Sequence, residues 1–192
     1  PALTHFKIGE LYEKLEKPQK ALKSYHISIK EDPQLDKVWA KSAALYDKLG
    51  NIDEAEYYIR RAIELDENNS EYYTNSTYYF LKQMKFEEAI KNLMKLVELN
   101  PLVFNTWYAY VETLTAVGEY EQAISVLIGG ALKNFNRAEF FYQLSNVYYL
   151  TDQDQLGNEA LTNALSLDKS MKEMMFEHYP ILQDKISLLE GE

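Results

Sequence analysis

Ala21-Leu22-Lys23-Ser24-Tyr25, Ala55-Glu56-Tyr57-Tyr58-Ile59, Ala89-Ile90-Lys91-Asn92-Leu93 and Ala123-Ile124-Ser125-Val126-Leu127 decide the fold of this chain. Each stretch opens on alanine, closes on a large side chain four residues later, and lies 34 residues beyond the one before; Gly157 to Leu161 continues the series. A small residue recurring at such a pitch marks a structural repeat. Other columns keep the same step. A ring precedes each small residue by sixteen positions (His5, Trp39, Tyr73, Trp107, Phe141), and a second large residue precedes it by nine (Tyr12, Tyr46, Phe80, Leu114, Tyr148). Ser28, Ala62, Leu96, Gly130 and Ala164 follow it by seven. No gap is needed from residue 2 to about residue 169.

Within each repeat the apolar positions recur at three and four residues, the helical period. Short breakers split each repeat into two such runs: Lys17-Pro18, Gly50-Asn51 and Gly118-Glu119 are examples. Pro18 suits the first turn of a helix, where its missing N–H costs nothing. Breaks are expected near Glu16, Gly50, Met84, Gly118 and Asp152. One helical hairpin cannot bury its own apolar faces, whereas stacked hairpins can.

The pattern resembles the tetratricopeptide repeat family, whose motif runs W-x2-L-G-x2-Y, A-x3-F and P. Repeat 1 carries Ile8-Gly9-x-x-Tyr12, Ala21-x-x-x-Tyr25 and Pro33; repeat 4 carries Trp107, Ala123 and Leu127. Repeat 5 departs most, with Gly157 for alanine and Lys169 for proline. The resemblance implies an all-α right-handed solenoid of five hairpins starting near residues 2, 36, 70, 104 and 138. Residues 1–169 form the array and 170–192 a C-terminal cap. The tail's apolar residues, among them Met174, Met175, Phe176, Tyr179, Leu182, Leu188 and Leu189, suggest two short helices separated by Pro180. Similar endings occur on bacterial proteins of this type.

Composition narrows the function. The chain has no cysteine, so it holds no disulfide framework, thiolate metal site or cysteine nucleophile. No apolar run approaches a membrane span, and no signal peptide is visible. The expected setting is cytoplasmic, although a chain opening on Pro1 leaves room for an upstream segment. A net charge of −10 disfavours nucleic acid, whose binding rests on neutralising phosphates. His5, His26 and His178 are scattered, and no metal, phosphate-loop or nucleophile-elbow motif is present. Neither enzyme activity nor a cofactor is expected.

In the family, the first helix of each repeat lines a concave groove. By register, its positions here include Lys7, Lys37 and Lys41 in repeats 1 and 2, then Asn75, Tyr78, Asn105, Tyr108, Tyr142, Gln143, Asn146 and Tyr149 in repeats 3 to 5. Tyrosines interleaved with amides suit peptide capture: a rigid ring gives contact area at low entropy cost, and an amide pairs with a partner's backbone. These four tyrosines are expected to line an exposed face, and Trp39, Trp107, Tyr12, Tyr46 and Tyr148 to be buried. The arrangement does not match the Lys/Asn clamp with which chaperone-binding members grip a carboxylate, since only Asn75 falls on a fitting slot. The expected function is a protein-interaction scaffold holding a partner peptide in the groove, with lysines meeting acidic residues. The alternative is a structural or regulatory arm of a larger protein, self-associating through the uncapped N-terminal repeat near Leu3 and Phe6.

Overall fold

The computed structural model describes residues 1–133 and 137–189, with the side chains of residues 131 and 187–189 left out. The expected cap leucines Leu188 and Leu189 therefore lie outside the described side chains. Among the described residues every regular element is helical. The chain divides into two compact units, Pro1–Leu99 and Asn100–Glu192.

The first unit holds three hairpins: α1 (Ala2–Lys14) with α2 (Pro18–Glu31), α3 (Asp36–Lys48) with α4 (Ile52–Leu65), and α5 (Ser70–Lys82) with α6 (Phe86–Leu99). The second holds α7 (Phe104–Ala116) with α8 (Tyr120–Lys133) and α9 (Ala138–Leu150) with α10 (Asp154–Leu167). After α10 come a 3-10 turn (Lys169–Met171), α11 (Lys172–His178) and α12 (Pro180–Leu189). Every first helix has 13 residues and every second helix 14.

All five hairpin turns use one device. Glu16, Gly50, Met84, Gly118 and Asp152 adopt positive φ, between 54° and 81°. The N–H after each reaches back to the carbonyl five residues earlier: Lys17 to Tyr12, Asn51 to Tyr46, Lys85 to Phe80, Glu119 to Leu114 and Gln153 to Tyr148, at 2.8–2.9 Å. A left-handed residue closing a helix in this way satisfies carbonyls that would otherwise lack partners. Two of the links between hairpins share a second device. Trp39 Nε1 donates to the Pro33 carbonyl, and Trp107 Nε1 to that of Pro101, each at 2.9 Å.

The repeating columns build the core. Ala21, Ala55, Ala89 and Ala123 are wholly buried, as are Tyr25, Ile59, Leu127 and Leu161. Size is traded across the first and last hairpins. Gly9 lies so close to the Tyr25 ring that a Cβ there would sit 2.3 Å from it, and Gly157 meets Tyr149 in the same way. The pair Gly129-Gly130 splits: a Cβ at Gly130 would crowd Phe140 and Trp107, whereas one at Gly129 meets nothing within 4 Å. Close packing against α9, and not a bend, explains Gly130, since α8 continues through it.

Candidate functional site

In the first unit the first-helix face is open and charged. Lys41 Nζ lies 3.6 Å from Glu13, and Lys82 Nζ lies 2.8 Å from Asp47. These pairs join α1 to α3 and α3 to α5. Lys82 also sits 4.8 Å above the Tyr78 ring, and its hydrogen bond to Asp47 raises its pKa. Tyr78 is half exposed and Asn75 half-buried. Lys7 and Lys37 are exposed, with no ion pair among the described residues, whereas Lys41 is paired with Glu13. Beneath this face, Tyr25 donates to Glu13 and Tyr72 donates to Asp36 at 2.5 Å. Burial, then Asp47, pushes the Tyr79 hydroxyl up to about 12.

The second unit differs. Tyr142 and Tyr149 are 0% and 4% exposed, and Gln143 and Asn146 are buried with them. The expectation that these four residues line an accessible surface is corrected: all four are buried, and the C-terminal tail packs against Tyr142 and Tyr149. Tyr142 and Tyr149 share one core with Leu161 and Ala164 of α10 and with Met175, Phe176, Tyr179, Leu182 and Ile186 of the tail. Lys185 spans Tyr149, 4.9 Å above its ring, to reach Asp154 at 2.7 Å. A second correction concerns the rings expected inside. Trp39 and Trp107 are buried, but Tyr12, Tyr46 and Tyr148 are only half-buried, their edges reaching the surface of the hairpins. Tyr46 and Tyr58 both contact His26 Nε2, at 3.2 and 3.0 Å.

The tail reaches past α9 to α7. Tyr179 donates to Glu112 Oε1 at 2.6 Å, and its hydroxyl lies 3.2 Å from that of Tyr108. His178 Nε2 lies 2.7 Å from the Tyr108 hydroxyl and 3.4 Å from Glu112 Oε2. Gln143 Nε2 donates to the same carboxylate at 3.3 Å. Burial, then the Glu112 carboxylate, raises the Tyr179 pKa far above its ordinary value, so it stays a donor. Tyr108, half-buried, therefore faces the tail, while Asn105 remains exposed. A pocket of about 630 Å³ opens beside Asn105 and Tyr108, bounded on the tail side by Met171, Met174, Met175 and Glu177.

Sequence reasoning missed that His178 and Tyr179 contact α7, although a signal was there. The 34-residue step continues into the tail: Met175 extends the column of rings and Leu182 the column of Tyr12 and Tyr46. Tyr179, however, stands where Gly9, Ala43, Thr77, Val111 and Ser145 stand, and Pro180 follows it. A sixth first helix thus begins, meets a side chain too large for its small-residue slot, and is broken by proline. Two short segments result.

Helical hairpins of equal length, one turn device and one set of small-residue columns recur five times. The fold is that of the tetratricopeptide repeat proteins. Residues 48–130 match the family model described as anaphase-promoting complex, cyclosome, subunit 3. Over 99 residues the chain is 30% identical to a tetratricopeptide repeat-containing protein, trd-1, of Caenorhabditis elegans; the match covers 37% of this chain and 13% of that protein's length. Three solved structures share the fold. MamA aligns with a TM-score of 0.70 at 16% identity, covering 90% of this chain and 94% of that one. YrrB, described as having an unusual peptide-binding site, aligns with a TM-score of 0.71 at 17% identity, covering 93% and 91%. MamA from Desulfovibrio magneticus RS-1 aligns at 0.64 and 15% identity, covering 88% and 96%. Among the described residues, no helix is long and apolar enough to cross a membrane, and no acidic, histidine or cysteine cluster is arranged to hold a metal ion.

Proposed function

We propose that this chain is a non-enzymatic protein-interaction module that holds polypeptide segments on its first-helix faces. One observation carries the reading: the face formed by α7 and α9 holds polypeptide in cis, with Tyr179 and His178 bonded to Tyr108 and Glu112. The face of α1, α3 and α5 presents related chemistry unfilled, with Tyr78 and Asn75 for contact and Lys7 and Lys37 for carboxylates. The peptide-binding site named for YrrB supports the reading by analogy of fold.

A photo-crosslinking residue at position 78 tests it, with the exposed second-helix position Tyr57 as control. A discrete partner adduct is expected at 78, absent at 57 and reduced in a Lys7→Glu/Lys37→Glu chain. Equal labelling at 78 and 57, or labelling indifferent to the lysines, overturns the reading.

A second reading, self-association through α1, has its own observation. Leu45, Tyr79 and Val147 occupy one column and are at most 4% exposed, whereas Leu11 in the same column is 58% exposed and Leu15 one turn further on is exposed too. In α3 and α5 that column is covered by the preceding second helix. Sedimentation of the chain and of its Leu11→Lys variant tests this: a concentration-dependent dimer lost in the variant supports self-association, and a monomer throughout removes it.

A further inference from the structure

A pocket lies beside the seated tail on the second unit's first-helix face, between α7 and α11. We propose that it is a specificity pocket for one bulky apolar side chain of a partner segment whose next residue is basic. The proposal rests on the reading of the first-helix faces as polypeptide-binding.

The chemistry of the walls sets the occupant. Met171, Met174 and Met175 form the tail side and Phe104 and Tyr108 the α7 side. Unbranched thioethers adapt their shape to an inserted apolar group and make favourable contacts with rings. Met174 is 55% exposed, large for an apolar residue at a concave site, whereas Met175 behind it is buried in the core. The Phe104 ring is held in place, with its edge on Phe140 at 5.1 Å and the Arg137 guanidinium 4.3 Å above it. A volume of about 630 Å³ lies within the range of roughly 300–1,000 Å³ typical of ligand sites. It is far larger than a trapped water needs.

Charge at the rim sets the flanking residue. Arg137 is the arginine of the pocket, and its charge is matched by Glu139 at 2.8 Å. His178 is engaged with Tyr108 and Glu112. Glu177 is exposed and makes no ion pair among the described residues. The rim therefore carries one unmatched negative charge, which complements a lysine or arginine beside the inserted side chain. Asn105, exposed at the opposite edge, offers an amide to the partner backbone. Complementary charge of this kind contributes specificity more than bulk affinity, while the buried apolar group supplies the anchor.

Methionine methyl NMR on the full chain reads the site directly, because three of its five methionines line the pocket and Met84 and Met94 lie in the other unit. The probes are synthetic Gly/Ser decapeptides with a central Leu-Lys, Leu-Glu or Ser-Lys pair. The Leu-Lys peptide is expected to shift the Met171, Met174 and Met175 methyls and to leave Met84 and Met94 in place. The Leu-Glu peptide is expected to bind about tenfold more weakly, a difference of about 1.4 kcal/mol, and Glu177→Lys to reverse that order. Met174→Glu, at an exposed position that the fold tolerates, is expected to abolish the response. Three results overturn the proposal: silence of the three pocket methyls, an equal response to Ser-Lys, or shifts confined to Met84 and Met94. Crosslinking at position 78 is independent of these methyls, so the pocket can fail while the broader reading stands.

Discussion

The first-helix face of α1, α3 and α5 and that of α7 and α9 are built from the same repeat positions, yet one is open and the other filled. The position held by Glu13 and Asp47 in the first unit carries Thr115 and Tyr149 in the second. In the first unit those carboxylates pair with lysines of the next first helix and stay at the surface. In the second, Tyr149 packs into the core that the tail completes. Repeat register therefore fixes which face a residue occupies, but not what lies against that face. Occupancy depends on chain outside the array, and on whether the face is ionic or aromatic. Covering lysine–carboxylate pairs would cost desolvation, whereas covering tyrosine rings removes apolar surface from water.

The largest test of this contrast is Phe176→Ala. Phe176 is buried in the tail's core, and truncating a buried phenylalanine costs about 3–5 kcal/mol. Amide exchange is expected to accelerate through α9 to α12 and to stay slow in α3 and α4. Uniform acceleration in both units would mean that the tail does not act locally.

Tyr179→Phe is expected to act more gently, by about 1.5–3 kcal/mol, the range for a hydrogen bond to a charged acceptor. It keeps the ring and removes the donor to Glu112. Chemical denaturation should show a lower midpoint for the second unit, with faster exchange in α11 and α12. An unchanged midpoint would leave the tail as an apolar cover alone.

Acid separates the units next. Burial alone would raise the Glu56 pKa, but hydrogen bonds from Lys85, Gln83 and Arg60 outweigh it and the pKa is lowered. A carboxylate with a depressed folded-state pKa contributes stability above its unfolded pKa of about 4.5, and that stability is lost as pH falls through the folded value. Lys85 and Gln83 belong to the α5–α6 corner while Glu56 lies on α4, so the loss falls on the first unit. Thermal melts between pH 5 and pH 2 should show a shallower acid decline in Glu56→Gln. An identical slope in the variant would remove Glu56 as the cause.

Much of the fold was legible because it is written in columns. The turns near Glu16, Gly50, Met84, Gly118 and Asp152 follow from where the apolar period breaks, and the buried alanines follow from their spacing. The site was less legible. Tyr78 and Tyr142 read alike in sequence, as tyrosines on inward positions of a first helix, yet only Tyr78 is exposed. The difference lies in contacts from residues 175–186, more than thirty positions beyond Tyr142, and no local pattern around either tyrosine encodes them. The size of Tyr179 in a small-residue column and the proline after it were the available clues.

The smallest effect concerns what the two units share. Met84 and Asp152 hold left-handed backbone at φ 56° without being glycine, where Gly50 and Gly118 hold it at 81°. An L side chain in that region costs roughly 1–2 kcal/mol. Replacement by glycine removes the cost, but the more flexible unfolded chain takes back about 0.5–1 kcal/mol. Met84→Gly is therefore expected to raise stability by up to about 1 kcal/mol. Asp152→Gly should gain less, because a short polar side chain tolerates this conformation better than methionine does. Gly118→Ala should lose stability by a similar amount, although nothing lies within 4 Å of a Cβ there, so the penalty would be one of backbone alone. Denaturation midpoints for the three variants decide it. If Met84→Gly stabilises its unit while Gly118→Ala weakens the other, the turn is a common part, and the contrast between the units belongs to their faces. If Met84→Gly destabilises, its half-turn is held by side-chain contacts particular to the first unit, and the two units differ in their turns as well.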